Sequence, residues 1–203
     1  MKLTGDRHHQ YIKNHIDSIQ SQSMFEYDVL EHPKWSAGND DTYVSIVLKD
    51  FDSHHLIELM LLSVCSLAAL MEHYRVVPQY QYPNDLLYDD KQIGMIDIEQ
   101  LDEQTYIIDY YLHVNATDQM SLKTASKKRF KIKSPAVLVQ TYFKVYYHFY
   151  ETQDFHQVIE YTNTLAYYQG NKEYLGSMHA FSKMDEKGYI TMDNESMSIL
   201  DFQ

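Results

Sequence analysis

Apolar positions along this chain alternate between helical and strand periods. Arg7 to Ile19 carries a short helical pattern, and Phe25 to Leu30 alternates as a strand before Pro33 breaks it. Thr42 to Leu48 is a β-branched strand entered from the polar turn Gly38 to Asp41. Asp52 or Ser53 then offers an N-cap for a long helix, His54 to Tyr74, whose core face includes Leu59, Leu62, Val64, Leu67 and Leu70. Short strands follow at Leu86 to Tyr88, Ile93 to Glu99 and Thr105 to Asn115, the last two joined through the polar turn Leu101 to Gln104. Ser134 and Pro135 make a serine cap followed by a first-turn proline, opening a helical region from Pro135 to Tyr150 that resumes from Asp154 to Thr164. Beyond Gly170 the texture changes to short strands, with turns at Gly170 to Lys172, Asp185 to Gly188 and Asp193-Asn194. The pattern predicts an α+β chain, an alternating main domain with a small β-barrel or sheet appended beyond Gly170.

Composition narrows the function. A chain of 203 residues, 44% of them hydrophobic, can bury one good core and a small appended domain. With 17 basic and 29 acidic residues the formal charge is −12, which argues against sequence-independent binding along nucleic acid. The local exception is Lys123, Lys127, Lys128, Arg129, Lys131 and Lys133, where a phosphate or acidic partner could dock or where lysines simply keep an edge soluble. Tyr142, Tyr146 and Tyr150 repeat at helical spacing beside Phe143 and Tyr147, a pattern expected to pack a core with hydroxyls at its rim. Cys65 is the only cysteine, so neither an intrachain disulfide nor a cysteine metal cluster can form, and a reducing cytoplasm fits. The N-terminal stretch has no apolar leader core, and Leu56 to Met71 is short for a membrane span and contains Glu58, so a soluble cytoplasmic protein is expected. The neighbouring pairs His8-His9 and His54-His55 do not have metal-ligand spacing and are expected at the surface or in caps.

The candidate chemistry lies in Tyr82 to Glu99. Pro83 restricts its own backbone and that of Tyr82, Asn84 and Asp85 suit a tight polar turn, and Lys91 stands just before Gly94, where missing bulk would admit a ligand to the backbone. This segment resembles the WPND and KxxGIL signature of the biotin protein ligase and lipoate ligase superfamily. Ile16 to Gln20, containing Ser18, is similar to the family's IDSTN segment, and Lys34-Trp35-Ser36 with Thr42 to Ser45 resembles its tryptophan-serine turn and LYLS strand. Glu173 to Gly176 and Asp185 to Gly188 resemble hairpins of its C-terminal domain. The resemblance implies an α+β fold with a biotin/lipoate ligase-like catalytic domain, a mixed sheet with packed helices, over residues 1–165 and a small SH3-like β domain over 166–203. It further implies that Asn84 and Asp85 stand near nucleotide phosphates and metal, that Lys91 contacts an acyl-adenylate, and that Ser18, Trp35 and Gly94 belong to the ligand site.

Departures from the family pattern weigh against activity. Where the family has an arginine- and glycine-rich GRGRxGR loop, this chain has Leu30 to Lys34, including Glu31 and Pro33, and the positive charge that loop would supply at an adenylation transition state is missing. Where the family has GIGIN, this chain has Asp109 to His113, and alternation puts Asp109, Tyr111 and His113 on one strand face, filling positions a ligand needs bare. Those three side chains could form a new polar site or a hydrogen-bonded network that plugs the old one. Two functions from different classes follow from the resemblance. One is a catalytically degenerate ligase-like protein, without cofactor, that binds a carrier-type domain, a ligase or its own copy. The other is an active enzyme that uses ATP, magnesium and biotin or lipoate, with Lys91 as its catalytic residue.

Overall fold

A computed structural model describes residues 2–3, 8–27, 41–128 and 135–202. In chain order the elements are β1 (Lys2–Leu3), α1 (His8–Asn14), β2 (Ser23–Tyr27), β3 (Thr42–Leu48), α2 (Leu56–His73), β4 (Gln79–Gln81), β5 (Asp85–Tyr88), β6 (Lys91–Gln100) and β7 (Tyr106–Leu112). They continue as α3 (Leu122–Ser126), α4 (Pro135–Glu151), α5 (His156–Leu165), β8 (Gly170–Tyr174), β9 (Ser177–Phe181), β10 (Tyr189–Met192) and β11 (Glu195–Ser198). The first seven strands form a mixed sheet in the order β1-β2-β3-β7-β6-β5-β4, in which only β1 pairs parallel among the registered strand pairs. The last four form an antiparallel meander.

Alternation decides which side of the main sheet carries the core. Val44, Ile46 and Leu48 of β3, Ile96 of β6, and Tyr106, Ile108, Tyr110 and Leu112 of β7 face the helices. Against them lies α2, buried over most of its circumference from Leu59 to Met71, which explains why its sequence is apolar nearly all round. With the single turn before it, this helix is long and apolar enough to cross a membrane by length and composition, but most of that apolar surface is buried in the protein's own core. Asp52 caps that preceding 3-10 turn, Ser53–His55, by accepting from the His54 N–H at 2.9 Å, so the α-helix proper starts at Leu56 rather than His54. The aromatic stripe of α4 packs as its spacing predicts: Phe143 is buried, and Tyr146 stacks on Tyr161 of α5 with centroids 5.8 Å apart and planes 6° from parallel.

Three elements, counting the two-residue β1, escape the sequence pattern, and one turn shifts. The edge strand β4 is only Gln-Tyr-Gln and carries no alternation to read. The short helix α3 falls in the lysine-rich segment and is set by a reciprocal Ser121–Thr124 capping box. Gly170 to Lys172 is not a turn but the start of β8, paired with His179 to Phe181; the reversal comes at Leu175-Gly176, both with positive φ. The serine of the expected Ser134-Pro135 cap lies outside the described residues.

The small sheet shares the main core. Tyr82, from the proline turn, packs with Tyr168, Phe181, Tyr174 and Phe202 in a continuous aromatic cluster. Its Asp185–Gly188 turn is seated on the start of α2. A Cβ on Gly188, whose φ is +79°, would lie 2.3 Å from Ile57 Cγ2, so only glycine permits that approach.

Candidate functional site

The face of the main sheet turned away from α2 is unusually polar for a buried surface. Register aligns its side chains in rows across β5, β6, β7 and β3. One row reads Asp85, Met95, Tyr111 and Tyr43; the next reads Asp97, Asp109 and Ser45; the next reads Glu99, Ile107 and Val47. Met95, Tyr111, Tyr43, Asp109 and Ser45 are all at most 1% exposed. The Tyr43 and Tyr111 rings meet edge to face, 5.9 Å between centroids, and with Met95 they divide the face into two polar clusters.

On one side of this apolar bar stands Asp109. Ser45 Oγ donates to Asp109 Oδ1, and His9 Nε2, reaching across from α1, donates to Asp109 Oδ2 at 2.6 Å. The other nitrogen of the same ring, Nδ1, lies 3.0 Å from Glu99 Oε2, and Lys13 donates to Glu99 Oε1 at 2.5 Å. Burial disfavours charge on His9, but the hydrogen bond and negative charge of Asp109, with Glu99 behind it, outweigh burial and hold its pKa above the ordinary histidine value. Below this cluster Ile12 of α1 closes a second small core with Phe25, Val47 and Ile107. On the other side of the bar His113 Nδ1 lies 2.8 Å from Asp41 Oδ2 and 2.7 Å from the Gln119 amide, with the Asp41 carboxylate fully covered.

The structure brings Asp109, Tyr111 and His113 onto one buried face, each in a separate network. Asp85 lies at the end of the Tyr111 row, where Gln92 Nε2 donates to its Oδ1 at 2.7 Å. Asn84 supplies a backbone carbonyl to the Ile96 N–H, and the neighbouring Pro83 carbonyl accepts from the Tyr80 hydroxyl, so the turn is laced into the sheet.

Lys91 and Gly94 depart from expectation. A register shift opposite Leu86 and Leu87 restarts the alternation, so Gln92 pairs with Leu87 while Lys91 pairs with Tyr88, whose ring packs on the helix-side core. Lys91 is exposed at the hairpin mouth, and its pairing places it on the opposite face from Asp109. Gly94 also faces the helix: a Cβ there would lie 3.2 Å from Leu67 Cδ2 and 3.3 Å from the Tyr111 carbonyl. Its missing bulk admits α2 rather than a ligand. Ser18 is exposed in a single 3-10 turn, its Oγ donating to the His15 carbonyl at 2.9 Å. Trp35 and the Leu30 to Lys34 segment lie outside the described residues.

Several participants escaped the sequence, Glu99, Lys13 and Gln119 among them. Ser45 and Asp97 carry a usable signal, an isolated polar residue within an apolar strand, but only register shows that they flank Asp109. Asp41 and His9 carry none. His9 is not a surface histidine of the expected kind, because helix packing aims it at a carboxylate one hundred residues away in sequence. His54, by contrast, does sit exposed in the cap with Asp52. Among the described residues no group of three or more His, Cys, Asp or Glu is arranged to hold a metal ion.

No family model and no curated protein matches this sequence. Solved structures do match in fold. Biotin protein ligase from Aquifex aeolicus, in complex with biotin and ATP, superposes over 100% of this chain and 95% of its own length, with a TM-score of 0.83 at 16% identity. A biotin protein ligase-like protein of unknown function from Silicibacter sp. TM1040 covers 98% of this chain and 94% of its own, with a TM-score of 0.71 at 10% identity. Biotin protein ligase from Leishmania major in complex with biotin covers 97% of each chain, with a TM-score of 0.65 at 11% identity. The chain therefore has a biotin protein ligase-like fold, including the small C-terminal β sheet.

Proposed function

We propose that this chain is a catalytically silent biotin protein ligase-like protein, cytoplasmic, that uses its scaffold to bind a protein partner: a carrier-type domain, a ligase or its own copy. Residues 1–165 supply the ligase-like body and 166–203 the appended domain. The observation that carries this reading is the buried Met95–Tyr111–Tyr43 bar. It occupies the sheet face that the sequence resemblance assigns to the acyl ligand. Charge points the same way. Adenylation needs preorganised positive charge where phosphate charge develops, yet this face presents Asp41, Asp97, Asp109 and Glu99. The cations beside those acids, His9 and Lys13, already serve carboxylates, Lys49 is held by the Ile16 carbonyl, and Lys91 pairs on the other face.

The alternative, ATP-dependent attachment of biotin or lipoate to a carrier lysine, rests on the retained Asn84, Asp85 and Lys91. Fold alone does not separate the two. Thermal melts with biotin, lipoate and ATP-magnesium, singly and together, are expected to leave Tm unchanged. Light scattering of mixtures with a carrier-type domain or a ligase is expected to show a complex, and of the chain alone a dimer if the partner is its own copy. A ligand-induced rise in Tm that Lys91→Ala abolishes would establish the enzyme instead.

A further inference from the structure

We propose that α1 is a proton-held strap, closed over the polar sheet face while His9 is protonated on both ring nitrogens and released when His9 loses a proton. Each nitrogen of this imidazole meets a carboxylate oxygen, Nε2 with Asp109 at 2.6 Å and Nδ1 with Glu99 at 3.0 Å. A neutral ring has one hydrogen and one lone pair, so it must turn that lone pair towards an anion. With both carboxylates ionised, the closed geometry therefore requires imidazolium.

Of the charged groups placed around His9 by the described elements, the carboxylates favour this state and Lys13 opposes it. Asp109 comes from β7, while Glu99, together with Asp97 opposite Asp109 in the register, comes from β6. Ser45 of β3 holds the second oxygen of Asp109 and does not titrate. Lys13, on α1 itself, opposes protonation but is drawn to Glu99. His9 retains 27% side-chain exposure, so solvent protons reach it. The remaining ties of α1 to the sheet are the half-exposed Lys13–Glu99 pair, a weak bond in water, Tyr11 edge-on to Phe25, Ile12 on Phe25, Val47 and Ile107, and, just past the helix, Lys49 donating to the Ile16 carbonyl. Opening the strap would bare that apolar patch, whether or not the protein is an enzyme.

Amide hydrogen exchange of the full chain, read at about pH 6 and about pH 9 with labelling times scaled for intrinsic chemistry, tests the strap. Each unit by which closure raises the histidine's pKa is a tenfold change in the closing equilibrium. Protection of α1 relative to α2 is therefore expected to be lost at the higher pH, while α2 stays protected. His9→Gln should be poorly protected at both, and Asp109→Asn should move the step to lower pH. Equal α1 protection at both pH values in the wild-type chain, or an unchanged step in His9→Gln, overturns the proposal.

Discussion

Replacing Gly188 by alanine tests how the small sheet is seated. The substitution adds a methyl group where φ is +79° and where that methyl would lie 2.3 Å from Ile57 Cγ2, with Leu61 Cδ1 also within 3.8 Å. Two costs combine: about 1–2 kcal/mol for an L-residue in the left-handed region, and about 1–3 kcal/mol for forcing extra bulk into a packed contact. The total of about 2–5 kcal/mol should appear as a lower urea midpoint with an unchanged denaturant slope. Gly176 provides the internal control, because its φ is +78° but nothing lies within 4 Å of its missing Cβ. Gly176→Ala should therefore show the conformational cost alone. Ile57→Leu, which removes the offending branch methyl, should recover part of the Gly188→Ala loss. If Gly188→Ala and Gly176→Ala agree within about 0.5 kcal/mol, the turn is not seated on α2 and the reasoning fails.

Other measurements probe the sheet face and the core. Tyr111→Ala should destabilise by about 3–5 kcal/mol in urea melts, as for a buried aromatic truncated in a packed core; a cost below about 1 kcal/mol would mean that the bar is not load-sharing. Ser45→Ala, which removes one donor to the buried Asp109, should cost about 1–3 kcal/mol by the same assay. Because the folded His9 pKa is raised, its contribution is full below the unfolded value near 6.5 and is lost as pH rises through the folded value. Urea midpoints across that range should fall for the wild-type chain relative to His9→Gln, and parallel curves would contradict the assignment. Cys65 is buried and burial pushes its thiol up to about 12, so a thiol reagent at mildly alkaline pH should react only after denaturant is added; rapid labelling of the native chain would refute the packing.

The strands and helices with strong periodicity were legible in the sequence because burial dictates their patterns directly. Thr42–Leu48 matches β3, and the α4 aromatics take the core positions their spacing assigns. The site was legible only in part. Alternation correctly put Asp109, Tyr111 and His113 on one face, but one β-bulge, beside Gly94, reversed the side reached by Lys91. Gly94 carried the right signal, close approach, with the wrong partner, since a bare Cα does not say whether a ligand or a helix fills the space. Ser45 and His9 join Asp109 through contacts 64 and 100 residues apart in sequence, information held by register and docking rather than by any segment.

The most direct test of the silent-ligase assignment is exchange of labelled pyrophosphate into ATP with biotin or lipoate and magnesium present. Formation of an acyl-adenylate is reversible and releases pyrophosphate, so an active enzyme scores without any carrier protein. With Tyr43, Met95 and Tyr111 filling the face beside Asp109, no exchange above the buffer blank is expected. Exchange that depends on biotin or lipoate and disappears in Lys91→Ala would contradict the assignment.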